Sequence, residues 1–162
     1  MKPILTLCLT LFILSYAFGQ TKSKRHNTSN QNQQIARLHI DPNKIAIFNL
    51  DSEVWLRQKF DNSKSYILNN TDIDIINRVF KQCVRENKID TNYYHYRRQY
   101  VPFVDKAGKR MVWVNCFCEG SDDFSYWKKN IVFVDDGGSC FFNVIINLTD
   151  KTYSNLQVNS YE

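Results

Sequence analysis

Apolar residues are arranged in two different ways along this 162-residue chain. Between residues 72 and 86 they recur at helical spacing, with Ile73, Ile76, Val79, Phe80, Cys83 and Val84 on one stripe, the signature of an amphipathic helix whose stripe must be covered. Thr71 followed three residues later by Asp74 predicts a capping box at its start. Beyond residue 98 the period shortens to two. Candidate strands run over 99–104, 109–118, 128–134, 139–148 and 151–158. Asp- and Gly-containing stretches at 105–108 and 135–138, and Thr149-Asp150, supply the turns between them. A short apolar run at 44–50 reads as another strand, and the pattern otherwise leaves the placement of residues 35–70 open.

Pro102 has no N–H to give a central ladder, so strand 99–104 is expected at an edge. Strands 109–118 and 128–134 are apolar on both faces (Val112 and Val114 against Trp113 and Phe117; Ile131 and Phe133 against Val132 and Val134) and suit the interior. The mostly polar 151–158 suits the other edge. Strand 139–148 puts Cys140, Phe142, Val144, Ile146 and Leu148 on one face, with Asn143 and Asn147 on the other. Helix and sheet each have an apolar face that only the other can cover. The expectation is an α+β fold, one amphipathic helix packed on a four- to five-stranded antiparallel meander sheet, cystatin-like in shape.

The N-terminal residues change the picture. Lys2, an apolar run over 4–18 and the exit Ala17-Phe18-Gly19 have the layout of a signal peptide over 1–19. A membrane span needs about 20 uninterrupted apolar residues; this run is shorter and contains Thr6, Thr10 and Ser15, so no membrane anchor is expected. Residues 20–34 lack apolar anchors and read as a disordered tether. Residues 35–162 are enough for a single domain. Of the 21 basic residues only Lys2 lies in the leader, which holds no acid, leaving 20 against 16 and a net charge of +4. Acids are interleaved with the bases, so nucleic acid is a poor fit. The product is expected to be secreted or periplasmic.

Cys83, Cys116, Cys118 and Cys140 follow the leader, and four cysteines allow three full pairings. In a strict meander Cys118 and Cys140 lie at opposite ends of the sheet across an intervening strand, so Cys83 with Cys116 or Cys118 is the geometric preference. Cys116 and Cys118 share one strand face, but zinc needs two further ligands, and His26 and His39 lie in or near the tether. Asp122, Asp123, Asp135 and Asp136 have turn-forming neighbours and no calcium-loop spacing. No metal and no cofactor is expected. A cysteine paired with His95 is the one nucleophile and base set, and it defines the alternative of a secreted cysteine-dependent hydrolase.

Residues 93–100 read Tyr-Tyr-His-Tyr-Arg-Arg-Gln-Tyr. Aromatic rings interleaved with donors dominate recognition surfaces, so Tyr94, Tyr96, Arg97, Arg98 and Tyr100 are the candidate binding residues, for a protein or glycan partner. Packing offers a simpler account, in which alternate tyrosines lie on the sheet and the arginines stay solvated.

The runs VWVNCFC (112–118), Trp127-Lys128-Lys129, DDGGSCFF (135–142), RQYV (98–101) and the ending from Asn143 resemble small uncharacterised secreted proteins of Bacteroidetes. That resemblance implies an exported single-domain protein and transfers no catalytic residue. The expectation is an exported non-enzymatic binding or interaction domain. Besides the hydrolase, the other alternative is an assembly protein pairing through an edge strand.

Overall fold

The computed structural model describes residues 36–89, 95–119 and 124–160. The expected leader (1–19), the tether (20–34), Tyr93, Tyr94, Asp122 and Asp123 lie outside the described residues. In chain order the elements are β1 (Ile45–Ile47), α1 (Val54–Lys59), β2 (Lys64–Ser65), α2 (Asn70–Glu86), β3 (Tyr96–Val104), β4 (Arg110–Cys118), a 3-10 turn (Gly138–Cys140), β5 (Phe141–Asn147) and β6 (Thr152–Val158).

From β3 to β6 each strand pairs antiparallel with the next. The meander therefore holds for four strands. On the far side of β3, β1 pairs parallel and β2 antiparallel, making a six-stranded mixed sheet in the order β1-β3-β4-β5-β6 with β2 beside β3. This corrects the purely antiparallel four- to five-stranded expectation.

Pro102 does not place β3 at an edge. Its carbonyl accepts from the Tyr66 N–H at 3.3 Å, and since N and C=O of an extended residue point the same way, its nitrogen faces the gap between β1 and β2. No ladder bond is lost there.

Helix α2 packs its stripe on the front of the sheet. Ile73, Ile76, Val79 and Cys83 are buried with Val112, Val114, Phe142, Val144, Ile146 and Leu148, which bears out the pairing of the helix stripe with one face of β5. Burying each such aliphatic side chain is worth about 1.5–3 kcal/mol, so packing outweighs intrinsic propensity in holding the helix. Its capping box lies two residues earlier than expected. The Asn69 side chain accepts from the Asp72 N–H at 3.0 Å, and the Asp72 carboxylate accepts from the Asn69 N–H at 3.1 Å. Tyr66 O–H and Arg110 also donate to Asp72, at 2.9 and 2.8 Å, and fix the frame at that carboxylate.

The back of the sheet is covered too. Val101, Phe103, Trp113 and Phe117 are buried against Leu56 and Phe60 of the α1 region and against Trp127, Ile131 and Val132. Residues 128–134 were expected to be a strand, yet they form no ladder. They cross the back face, with Phe133 turned outward and 69% exposed.

Removing that strand from the meander brings β4 and β5 side by side, with Phe117 opposite Phe141. Cys118 and Cys140 are then neighbours, and they form the disulfide, with Cα atoms 5.1 Å apart. The expected Cys83 pairing is corrected accordingly. Cys83 and Cys116 are free and buried. The turn into β5 requires Gly137, whose φ is 87° and where a Cβ would stand 2.6 Å from the Phe141 ring.

Candidate binding cleft

The odd-numbered positions of β3, β4 and β5 face the back, and from β3 to β6 one rung there is made entirely of amides. Gln99 pairs with Asn115, Asn115 with Asn143, and Asn143 with Gln157. Strand spacing of about 4.8 Å sets these side chains in a row at right angles to the strands.

Half of this row is engaged by the crossing segment. Gln99 is fully buried, a position that an amide tolerates only with its hydrogen bonds made. Its Nε2 donates to the Trp127 and Asn130 carbonyls at 2.6 and 2.8 Å. Its Oε1 accepts from the Val132 N–H at 2.9 Å and from Asn115 Nδ2 at 3.0 Å. Asn115 Nδ2 also donates to the Val132 carbonyl at 2.8 Å. Two adjacent amides thus hold one extended residue by both its backbone groups, which is why 131–134 lies over the sheet and not within it.

The other half opens into a cleft of about 450 Å³. Its floor is Trp113, Asn115, Asn143 and Gln157; its walls are residues 132–135, Lys59, Val158 at the end of β6 and the two residues after it, Asn159 and Ser160. Asn143 Oδ1 accepts from Trp113 Nε1 at 3.0 Å, which orients the amide with Nδ2 as its remaining polar group. No described residue bonds to Asn143 Nδ2, Asn115 Oδ1 or the Gln157 side chain. Aromatic rings border it: Phe133 lines the cleft, Trp55, just outside the lining, packs edge-on to both Trp113 and Phe133, at 5.8 and 5.5 Å, and the Lys59 ammonium lies 5.6 Å over Trp113. The wall is pinned by Asn159 Nδ2, which donates to the Val134 and Asp136 carbonyls at 2.5 and 2.9 Å.

The sequence-predicted cluster does not form one surface. Strand alternation sends Tyr96, Arg98 and Tyr100 to the front and Arg97 to the back. Tyr100 is fully buried, and burial pushes its hydroxyl pKa up to about 12. Tyr96 is half-buried, donates to the Ser139 carbonyl at 2.7 Å and packs edge-on to Phe142. Arg98 lies over the Phe80 and Tyr100 rings at 5.2 and 5.8 Å. Arg97 lies over Trp127 at 5.4 Å, with Glu119 3.8 Å away.

Burial pushes the Cys83 thiol up to about 11 and the Cys116 thiol higher still, with Cys83 near enough to Cys116 to add to the effect. A thiolate nucleophile needs the opposite shift. His95 is exposed and lines no part of the cleft. Among the described residues, no three His, Cys, Asp or Glu side chains gather as a metal site requires, and no helix is long and apolar enough to cross a membrane.

The amide row was not foreseen from sequence. Its signal was three polar amides, Gln99, Asn115 and Asn143, inside otherwise apolar strands. Recognising them as a row required the register. No protein-family model matches the chain, and no curated protein or solved structure matches it either.

Proposed function

We propose that this chain is an exported, non-enzymatic binding domain, secreted or periplasmic, whose interaction surface is the cleft on the back of the sheet. The observation that carries this reading is the half-engaged amide row: Asn115, Asn143 and Gln157 offer unengaged polar atoms inside a walled, aromatic-rimmed cavity. A few convergent polar groups set among aromatic side chains are what a recognition site needs for orientation and affinity. The signal-peptide layout, the likeness to small secreted proteins of Bacteroidetes and the Cys118–Cys140 disulfide support export. A cystatin-like description extends, in this proposal, to the α2-on-sheet layer alone.

The alternatives fit the observations less well. A cysteine hydrolase needs a reachable thiolate, and the four cysteines among the described residues are bonded or buried. Assembly through the β6 edge has to contend with the register shift between Asn143 and Ile145 and with Asn155 at φ 51°, irregularities that blunt an edge against pairing. The test is a binding screen of the exported protein on peptide and glycan arrays, repeated with Gln157→Ala and Phe133→Ser. Signals that fall in both variants are expected. Arrays without any cleft-dependent signal would refute the reading.

A further inference from the structure

The protein already displays one ligand of its amide row, and it is a polypeptide backbone. Val132 gives its N–H to an acceptor on β3, Gln99 Oε1, and takes a hydrogen bond at its carbonyl from a donor on β4, Asn115 Nδ2. One strand further along, the same pair of functions recurs without a partner. The acceptor is Asn115 Oδ1, and the donor is Asn143 Nδ2, held in that orientation because Trp113 Nε1 occupies the Asn143 Oδ1. Register places Asn115 opposite Asn143 as it places Gln99 opposite Asn115, so the second acceptor and donor stand side by side like the first, on a slightly narrower antiparallel pair and with an acceptor one methylene shorter. Gln157 continues the row by one more amide, able both to donate and to accept.

Resting on the binding function above, we infer that the cleft takes an extended polypeptide segment. One residue of that segment is held by both backbone groups on Asn115 and Asn143, as Val132 is on Gln99 and Asn115, and a further backbone group meets Gln157. Backbone readout fixes the strand and leaves side-chain choice to the rim, where Phe133, 69% exposed, and the half-buried Trp55 form an apolar shelf. The preferred ligand carries an apolar or aromatic side chain at that point. Lys59 and Asp135, one of each sign on the walls, give no strong bias toward a charged peptide.

The test begins with selection of linear 12-residue peptides from a phage-displayed library on the exported protein, keeping those whose affinity falls in Gln157→Ala and holds in the surface control Lys81→Ala. For the tightest peptide, each backbone amide is N-methylated in turn, which removes one donor and leaves the side chain in place. One or two positions are expected to lose about tenfold in affinity, the effect of a single amide hydrogen bond in a sheltered site, with the circular dichroism of the protein variants unchanged. A flat methylation profile overturns backbone readout. A glycan that binds with cleft dependence, while no peptide does, overturns the peptide assignment and leaves the binding function standing. If neither class shows cleft dependence, both fall together.

Discussion

Replacing Gln99 with leucine removes the clamp while roughly preserving volume. The side chain is fully buried and makes four hydrogen bonds, to the Trp127 and Asn130 carbonyls, the Val132 N–H and Asn115 Nδ2. Asn130 is exposed and recovers its bond from water, and Asn115 keeps the Val132 carbonyl. The Trp127 carbonyl and the Val132 N–H are left stranded, at about 1–3 kcal/mol each. The leucine returns about 1–2 kcal/mol of apolar burial; taking the middle of each range, about 4 less about 1.5, the net loss is about 2.5 kcal/mol. In urea, with a slope of about 1.5 kcal/mol/M, that lowers the unfolding midpoint by about 1.5–2 M. Binding at the cleft should also be lost, because the segment that walls it is no longer held. A Gln99→Leu protein as stable as wild type would refute the clamp and the derivation of the cleft from it.

The Asp72 carboxylate is buried and accepts from Asn69 N–H, Tyr66 O–H and Arg110, so Asp72→Ala is expected to cost about 2–4 kcal/mol in thermal unfolding; a loss under about 0.5 kcal/mol would contradict the frame at α2. A thiol reagent at pH 8 should label neither Cys83 nor Cys116 until the protein is unfolded in urea, and prompt labelling of the folded protein would contradict their burial. Cys83 is raised from 9.0 to about 11 by burial, so the folded state keeps a proton that the unfolded chain releases. Its stabilisation is complete below about pH 9 and is lost as pH rises toward 11; urea midpoints should fall less steeply over that window in Cys83→Ala, and equal slopes would exclude the effect. Gly137→Ala forces a side chain onto the Phe141 ring at a left-handed φ and should cost about 1–3 kcal/mol in the same titration.

The helix and the meander were legible because their signals are periodic and local. The α2 stripe and the β5 alternation each name their buried face without outside information. The cap was displaced because Asn69/Asp72 and Thr71/Asp74 present the same three-residue spacing, and only burial of Asp72 between Tyr66 and Arg110 chooses the first. Residues 128–134 have the composition of a strand, but a side-chain ladder outcompeted the backbone ladder for Val132, and that depends on Gln99 and Asn115 being neighbours in space. The disulfide prediction failed for the same reason, since an extra strand between β4 and β5 was what kept Cys118 from Cys140. The division of Tyr96, Arg98 and Tyr100 from Arg97 was available from simple alternation. The cleft was not, because its floor is assembled from residues on three strands whose register no single segment encodes.

Hydrogen exchange at the Val132 amide decides whether the row grips the crossing segment. Val132 belongs to no strand, and among the described residues the hydrogen bond its amide makes is the one to Gln99 Oε1. The expected result is exchange as slow as in the interior of β3 and β4 for Val132, beside fast exchange at the outward-facing Phe133. Rapid exchange at both positions would contradict the clamp, the cleft and the binding function built on them.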